Sequence, residues 1–282
     1  MGATDQQLAL IAALRDPARY PHGAGCVEHR ETHISHVLLA GDYAYKIKKP
    51  LDLGFLDFST LERRRRFCEE EVRLNGRLAP AVYLDVVAIT GTPEQARIGG
   101  DGPAIEYAVR MRRFDEAGLL DRQLAAGRVD TTLVTDLARR IARFHESAGT
   151  EPPDPAYGRP EAVVEPVRQN FAQTGPRLDA AGRARVAALA AWTEARFAEL
   201  RTTFERRRAD DRVRECHGDM HLGNIALIDG EPAIFDGIEF NAAMRWTDVA
   251  ADIAFLGMDF DARGAPALAG RLLDQWLADT GD

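Results

Sequence analysis

The residues best equipped for chemistry lie in one run, CHGDMHLGNIALIDGEPAIFDGIEF, residues 216–240. A polar loop holding His217, Asp219, His221 and Asn224 leads into two short β-like stretches, IALI and AIF, joined by Asp229-Gly230, a pair suited to a tight hairpin. A hairpin of that length returns Asp236 close to Asn224, so Asp219, Asn224 and Asp236 are expected to converge on one small volume. Two oxygen ligands with a further carboxylate nearby make a site for a hard divalent cation. Mg2+ takes such donors and keeps several waters or phosphate oxygens in its remaining positions, so one Asn and one Asp suffice as protein ligands. A rival reading takes His217, Asp219 and His221 as alternate residues of a strand binding zinc or iron. It lacks a further strong ligand nearby, and Gly218 and Gly223 favour a loop.

Other elements must bring positive charge to that volume. Residues 25–49 read as short strands, HVLLA and YAYKIK, around the turn pair Gly41-Asp42, the start of an antiparallel sheet. On an alternating strand Ala44, Lys46 and Lys48 share a face, which leaves either lysine as a functional cation, or both as a solvated basic face. Ser59 opens a capping box, S-T-L-E, with Glu62 at the third helical position, and predicts a helix to about Leu78, before Pro80. Phe67, Leu74 and Leu78 form an apolar stripe on it with Glu71 in the middle, where an unpaired carboxylate is costly. Glu71 therefore calls for a cationic partner, with Glu69 and Glu70 as alternatives. Strands are expected around 82–89 and 104–112, on either side of a GGDG turn.

After Asp115 the pattern turns helical. Asp130 is positioned to cap a helix carrying Leu133, Leu137, Ile141 and Phe144, which ends at Gly149. Pro152, Pro153, Pro155, Pro160 and Pro166 predict a surface loop. Val186, Leu189, Trp192, Leu200 and Phe204 then stripe a long helix, read as an ordinary packed helix with a solvated basic end at Arg206, Arg207 and Arg208.

Composition limits the partners. A chain of 282 residues, 45% apolar, can fill a substantial core. A net charge of −8 would repel a phosphate backbone, which argues against nucleic acid as the main ligand and suits a cationic small molecule better. Cys26, Cys68 and Cys216 form neither a disulfide framework nor a thiolate metal motif and fit a reducing, cytoplasmic setting. With no leader pattern and no run of eighteen apolar residues, no membrane association is expected.

The layout D-x-x-x-x-N, strand pair, Asp resembles the catalytic loop and metal-binding Asp of kinases. The narrower form HGDxHxGN resembles the aminoglycoside phosphotransferase and choline kinase-like family. The resemblance implies an α+β, protein-kinase-like two-lobed fold: an antiparallel-sheet N-lobe with one helix over residues 1–115, and a mainly helical C-lobe over 116–282 with the catalytic loop at 217–224. It implies that Asp219 accepts or orients the proton of a substrate hydroxyl, and that Asn224 and Asp236 hold Mg2+ against the phosphates of ATP. His217 would be structural, and His221 would pack the loop. YAYKIK is similar to the V-A-I-K strand of kinases, with Ala44 two residues before Lys46, and Glu71 would pair with Lys46 from the helix.

No GxGxxG precedes Lys46; the turn holding Thr32, His33, Ile34 and Ser35 would supply the polar phosphate contacts, as in small-molecule kinases of this kind. The segment from Met111 to Asp115 would be the interlobe hinge that binds the purine, and Asp248 and Asp252 would brace the loop. A closer likeness is to bacterial proteins that join such a domain to a P-loop ATPase domain, carried by HVLLAGDYAYKIKKPLDLGFLDFSTLERRRRFCEEEVRLN. With no GxxxxGK[ST], the second domain is expected to be absent here, as a fragment or a naturally short form, with a separate ATPase as a conceivable partner. The implied activity is transfer of a phosphoryl group from Mg-ATP to a small-molecule hydroxyl. A catalytically silent nucleotide-binding module is the alternative from another class, and a protein kinase is a third reading, weakened by HGD and by the missing Gly-rich loop. The identity of the acceptor and the oligomeric state stay open.

Overall fold

The computed structural model describes residues 2–282. Six strands build one antiparallel sheet: β1 (Val27–Glu31), β2 (Ser35–Ala40), β3 (Tyr43–Lys48), β4 (Tyr83–Thr90), β5 (Arg97–Ile98) and β6 (Ala104–Arg112), in the order β1-β2-β3-β6-β4-β5. The β2–β3 hairpin turns at Gly41-Asp42 with Val37 opposite Lys46 and Leu38 opposite Tyr45. Alternation along β3 sends Tyr45 and Ile47 to one face, where helix α1 (Ala3–Ala13) adds Leu10 and Ile11 to a core that also holds Leu38 and Ile89. The sequence reading had no helix there. The other face carries Ala44, Lys46 and Lys48 and meets α2 (Leu61–Asn75). That face is an interior one, not a solvated basic surface: Lys48 is 1% exposed.

Helix α2 is capped by Thr60, whose hydroxyl accepts from Arg63 N, rather than by Ser59, which is held by Asp57. It stops at Asn75, ahead of the expected end near Leu78.

The second half is built from α3 (Leu120–Ala125), α4 (Thr131–Ser147), α5 (Pro160–Thr174), α6 (Ala180–Ala209), α7 (Ala242–Arg245), α8 (Val249–Ala262) and α9 (Pro266–Thr280). Two small sheets join them: β7 (Val213–Glu215) with β10 (Trp246–Asp248), and β8 (Ile225–Ile228) with β9 (Glu231–Ile234). Asp130 caps α4 as its sequence predicts, and Leu137, Ile141 and Phe144 pack with Leu222, Ile225, Ile234, Leu256, Phe260 and Trp276 in one core directly beneath the β8–β9 hairpin. The architecture is thus α+β, a sheet-bearing N-terminal half followed by a helical half.

Two helical expectations need correction. The Pro-rich loop ends at Arg159: Pro160 takes the first position of α5, where no backbone donor is needed, and Pro166 lies inside the helix. Helix α6 buries no residue along its length, and Leu189, Trp192 and Leu200 of its stripe are exposed, Trp192 by 61%. Its basic end is the part that docks, since Arg207 pairs with Asp248 (2.7 Å) and Asp282, and Arg208 donates to Pro155 O (2.8 Å). Among the described residues no helix is long and apolar enough to cross a membrane.

Candidate active site

The two halves meet around Lys46. Its Nζ lies 2.7 Å from Glu71 Oε1 and 2.5 Å from Asp236 Oδ1, so the ammonium joins its own sheet, helix α2 and the segment after β9. Helix α2 turns only Glu71 inward: Glu69 pairs with Arg65, and Glu70 with Arg73 and Arg245. Glu71 also receives Lys48 Nζ on Oε2 at 2.6 Å, and Lys48 contacts Glu239. Three carboxylates thereby share two ammonium groups, Glu71 and Glu239 buried and Asp236 open to solvent. Burial works against the charge on Lys46, but Asp236 and Glu71 outweigh it and hold its pKa well above the ordinary lysine value. Burial likewise favours neutral Glu71, yet Lys46 and Lys48 keep its carboxyl below the usual range. The surplus falls on Glu239, where burial outweighs Lys48 and raises the pKa.

Asp236 has a left-handed backbone, φ 61°, which costs a non-glycine residue about 1–3 kcal/mol and persists only where its surroundings impose it. They do so here. Asp236 N donates to the Tyr83 hydroxyl (3.2 Å) and Gly237 N to Asn75 Oδ1 (2.8 Å), both acceptors from the N-terminal half. The β8–β9 turn has positive φ at both Asp229 (52°) and Gly230 (83°), and its register brings Phe235 N within 2.9 Å of Asn224 O. Asp236 and Asn224 are therefore neighbours across the hairpin, as the turn pair predicts.

The loop from His217 to Asn224 is irregular apart from one 3-10 turn, Leu222–Asn224. Gly218 has φ 83°, and a Cβ there would meet Met244 O at 3.0 Å, so the close crossing and the left-handed backbone both favour glycine. Asp252 on α8 fastens the loop by accepting from His217 N (3.2 Å) and Gly218 N (2.9 Å). Asp248 does not brace it; it caps α8 and pairs with Arg207. His217 is buried, with Nε2 on Phe235 O (3.0 Å) and Nδ1 facing Asp219 N (3.3 Å), so both ring nitrogens are engaged by the backbone. Burial lowers its pKa, and the zinc or iron reading loses its first ligand.

Asn224 Nδ2 donates to Asp219 O (3.0 Å) and Oδ2 (3.3 Å), and among the described residues Asn224 Oδ1 accepts no hydrogen bond. Burial raises the Asp219 carboxyl against the pull of His221 and His217, and Asp236 pushes in the same upward direction. His221 accepts from Gly223 N on Nδ1 (3.1 Å), which packs the loop, while its Nε2 lies 3.7 Å from Asp219 Oδ2.

A cavity of about 740 Å3 opens beside Lys46 and Asp236, walled by Val37, Leu39, Ala44, Val82, Met111 and Phe235. Residues 55–282 match the phosphotransferase enzyme family. The chain belongs to that family. Uncharacterized proteins of Mycobacterium bovis and Mycobacterium tuberculosis are 32% identical to it over 257 residues, 91% of this chain and 50% of each relative, so the chain spans about half the length of the curated relatives it matches. Among solved structures it is similar in fold to a choline kinase from Cryptosporidium parvum (TM-score 0.55, 12% identity, 96% of this chain and 79% of that one). A choline/ethanolamine kinase family protein from Mesorhizobium loti gives a TM-score of 0.51 at 13% identity, over 95% of this chain and 75% of that one. These likenesses show the kinase-like two-lobed fold.

In this phosphotransferase-family chain Lys46 touches both Glu71 and Asp236, Asp219 touches Asn224, and the hairpin sets the two groups side by side. Met111 lines the cavity within β6, opposite Ala44 on one side and Tyr83 on the other; the backbone N–H groups of Phe114 and Asp115, just beyond, make no hydrogen bond within the described chain. Ser35 is not at the cavity. Strand β2 already begins at Ser35, which sets it fully buried opposite Lys48; Thr32 of the expected turn does line the cavity, together with Arg30. The sequence reading missed Lys48–Glu239, Asn75 and Tyr83. Asn75 was legible in principle, one helical turn after Glu71 on the same face.

Proposed function

We propose that this protein is an ATP-dependent phosphotransferase that moves the γ-phosphoryl group of Mg-ATP to a hydroxyl of a small molecule of the amino sugar, amino alcohol or aminoglycoside-like kind. The observation that carries the reading is the Lys46 ammonium bridging Glu71 and Asp236 at the edge of the cavity, one hairpin away from Asp219 and Asn224.

The cavity, about 740 Å3, lies within the range of small-molecule sites, and its apolar walls suit a purine whose edge the free N–H groups of Phe114 and Asp115 can meet. Asn224 Oδ1 and the Asp236 carboxylate are hard oxygen donors and fit Mg2+. Bound there, the ion would neutralise phosphate charge and hold phosphate oxygens in line. Lys46, kept cationic by Glu71 and Asp236, binds phosphate oxygens from the sheet side. Asp219, its carboxyl already pushed up by burial, takes the acceptor's hydroxyl proton as the acceptor oxygen bonds to the γ-phosphorus and the bond to the bridging oxygen breaks, releasing ADP. The curated relatives contain a further stretch about as long as this chain, and a separate ATPase is the protein partner we propose.

Thermal unfolding with and without Mg-ATP tests the binding half: nucleotide at about 100 times its dissociation constant adds roughly 2.7 kcal/mol. The Asp236→Asn variant should lose the Mg2+-dependent part of that gain. Stabilisation with no transfer to any member of a broad hydroxyl panel would favour a nucleotide-binding module instead.

A further inference from the structure

Three buried side chains from three helices form a single-file chain that ends on the loop carrying Asp219. Trp276 of α9 places its indole Nε1–H 3.0 Å from Nδ1 of His145 on α4. His145 Nε2 lies 3.0 Å from Asp252 Oδ2 on α8. Asp252 then receives the backbone N–H groups of His217 and Gly218, immediately before Asp219. Trp276 and His145 are each 2% exposed and Asp252 is 3% exposed, so water cannot substitute for a missing partner.

The direction of each bond follows from what its ends can do. An indole N–H only donates, so Nδ1 of His145 must present its lone pair. The single proton of the ring therefore sits on Nε2 and is given to Asp252, which can only accept while ionised. Oδ2 of Asp252 is held by His145 and by His217 N, while Oδ1 is held by Gly218 N. Cys216 brings a sulfur within 4.8 Å of His145 and Asp252, but a metal there would have to displace both imidazole bonds, so hydrogen bonding is the better account of this cluster.

We infer that Trp276 is a positioning residue for the reaction proposed above: it fixes the tautomer of His145, His145 aims Asp252, and Asp252 sets the backbone from which Asp219 projects. The catalytic consequence rests on the phosphotransferase reading; the tautomer and the loop anchoring do not. Without the indole donor, Nδ1 is free to take the proton, and the ring then loses its donor toward Asp252. The pair of loop amides keeps its acceptor but not the acceptor's fixed orientation.

The test uses the full chain with 15N-labelled histidine and amides. In the wild type at neutral pH, NMR should find His145 bare at Nδ1 and protonated at Nε2. Trp276→Phe keeps an aromatic ring and removes the donor; it should shift His145 toward the Nδ1 proton and speed hydrogen exchange at His217 and Gly218 by about tenfold. With an acceptor in hand, kcat should fall about 10- to 100-fold, as when the hydrogen bonds that orient a metal site's ligands are removed, with KM for ATP unchanged. His145→Gln offers an N–H to Asp252 without needing Trp276, so adding Trp276→Phe to it should cause no further loss. A wild-type His145 protonated at Nδ1 would overturn the inference. So would a Trp276→Phe variant that melts earlier but keeps the exchange rates of both amides, or losses that add in the double variant. A wild type that transfers no phosphate to any acceptor would remove the phosphotransferase reading, and the tautomer and exchange measurements would still decide this one.

Discussion

Lys46 Nζ and Asp236 Oδ1 are 2.5 Å apart although 190 residues separate them in the chain. That single contact closes the N-terminal sheet onto the hairpin of the helical half, and Glu71, 2.7 Å from the same nitrogen, keeps the lysine from following Asp236 outward. The cation is therefore delivered at the boundary between the halves, beside the cavity.

The two lysines of β3 should separate into a functional and a structural one. Lys48→Met leaves Glu71 and Glu239 buried with their shared cation gone, and breaking a buried pair in this way costs about 3–5 kcal/mol. Lys46→Met leaves Glu71 on Lys48 and Asp236 open to the cavity, so it should cost less stability and abolish the thermal response to Mg-ATP. Urea unfolding of both variants, with and without nucleotide, checks the split.

Acid should expose Glu71. Its carboxyl is held below its ordinary value of 4.5, chiefly by Lys46 and Lys48 against burial. The unfolded chain then binds the proton more readily than the folded one, so the stabilisation is complete above about pH 4.5 and is lost as pH falls through the depressed folded value. Urea midpoints taken between neutral pH and pH 3 should fall more gently on the acid side for Glu71→Gln than for the wild type.

Trp192 and Trp276 should behave as opposites. Trp192 is 61% exposed on α6, so Trp192→Ala should change stability by no more than about 0.5 kcal/mol, and its emission should be quenched readily by acrylamide. Trp276 fills the core under α4, and Trp276→Ala should cost about 3–5 kcal/mol. Single-tryptophan variants make both measurements direct.

The same contrast shows what the sequence could disclose. Turn chemistry is local, so Gly41-Asp42 and Asp229-Gly230 predict both hairpins, and the second delivers Asp236 to Asn224. A charged residue inside an apolar stripe is also local, which is why Glu71 could be singled out before its partners were known. Periodicity shows that Leu189, Trp192 and Leu200 share a side of α6, but it cannot show that anything covers them, and in the structure all three stay exposed. Ser35 was misplaced because polar residues ahead of a hairpin read as loop, whereas pairing with Lys48 makes Ser35 strand. The Trp276–His145 bond spans 131 residues and joins two separate helices, so no local signal announces it.

The most direct measurement is transfer of γ-labelled phosphate from ATP, in the presence of Mg2+, across amino alcohols, amino sugars, nucleosides and aminoglycosides, run on the wild type and on Asp219→Asn. The wild type should give one labelled class of product, and Asp219→Asn should turn over about 10²- to 10⁴-fold more slowly with nucleotide binding intact. Equal turnover in the two proteins would contradict the role given to Asp219.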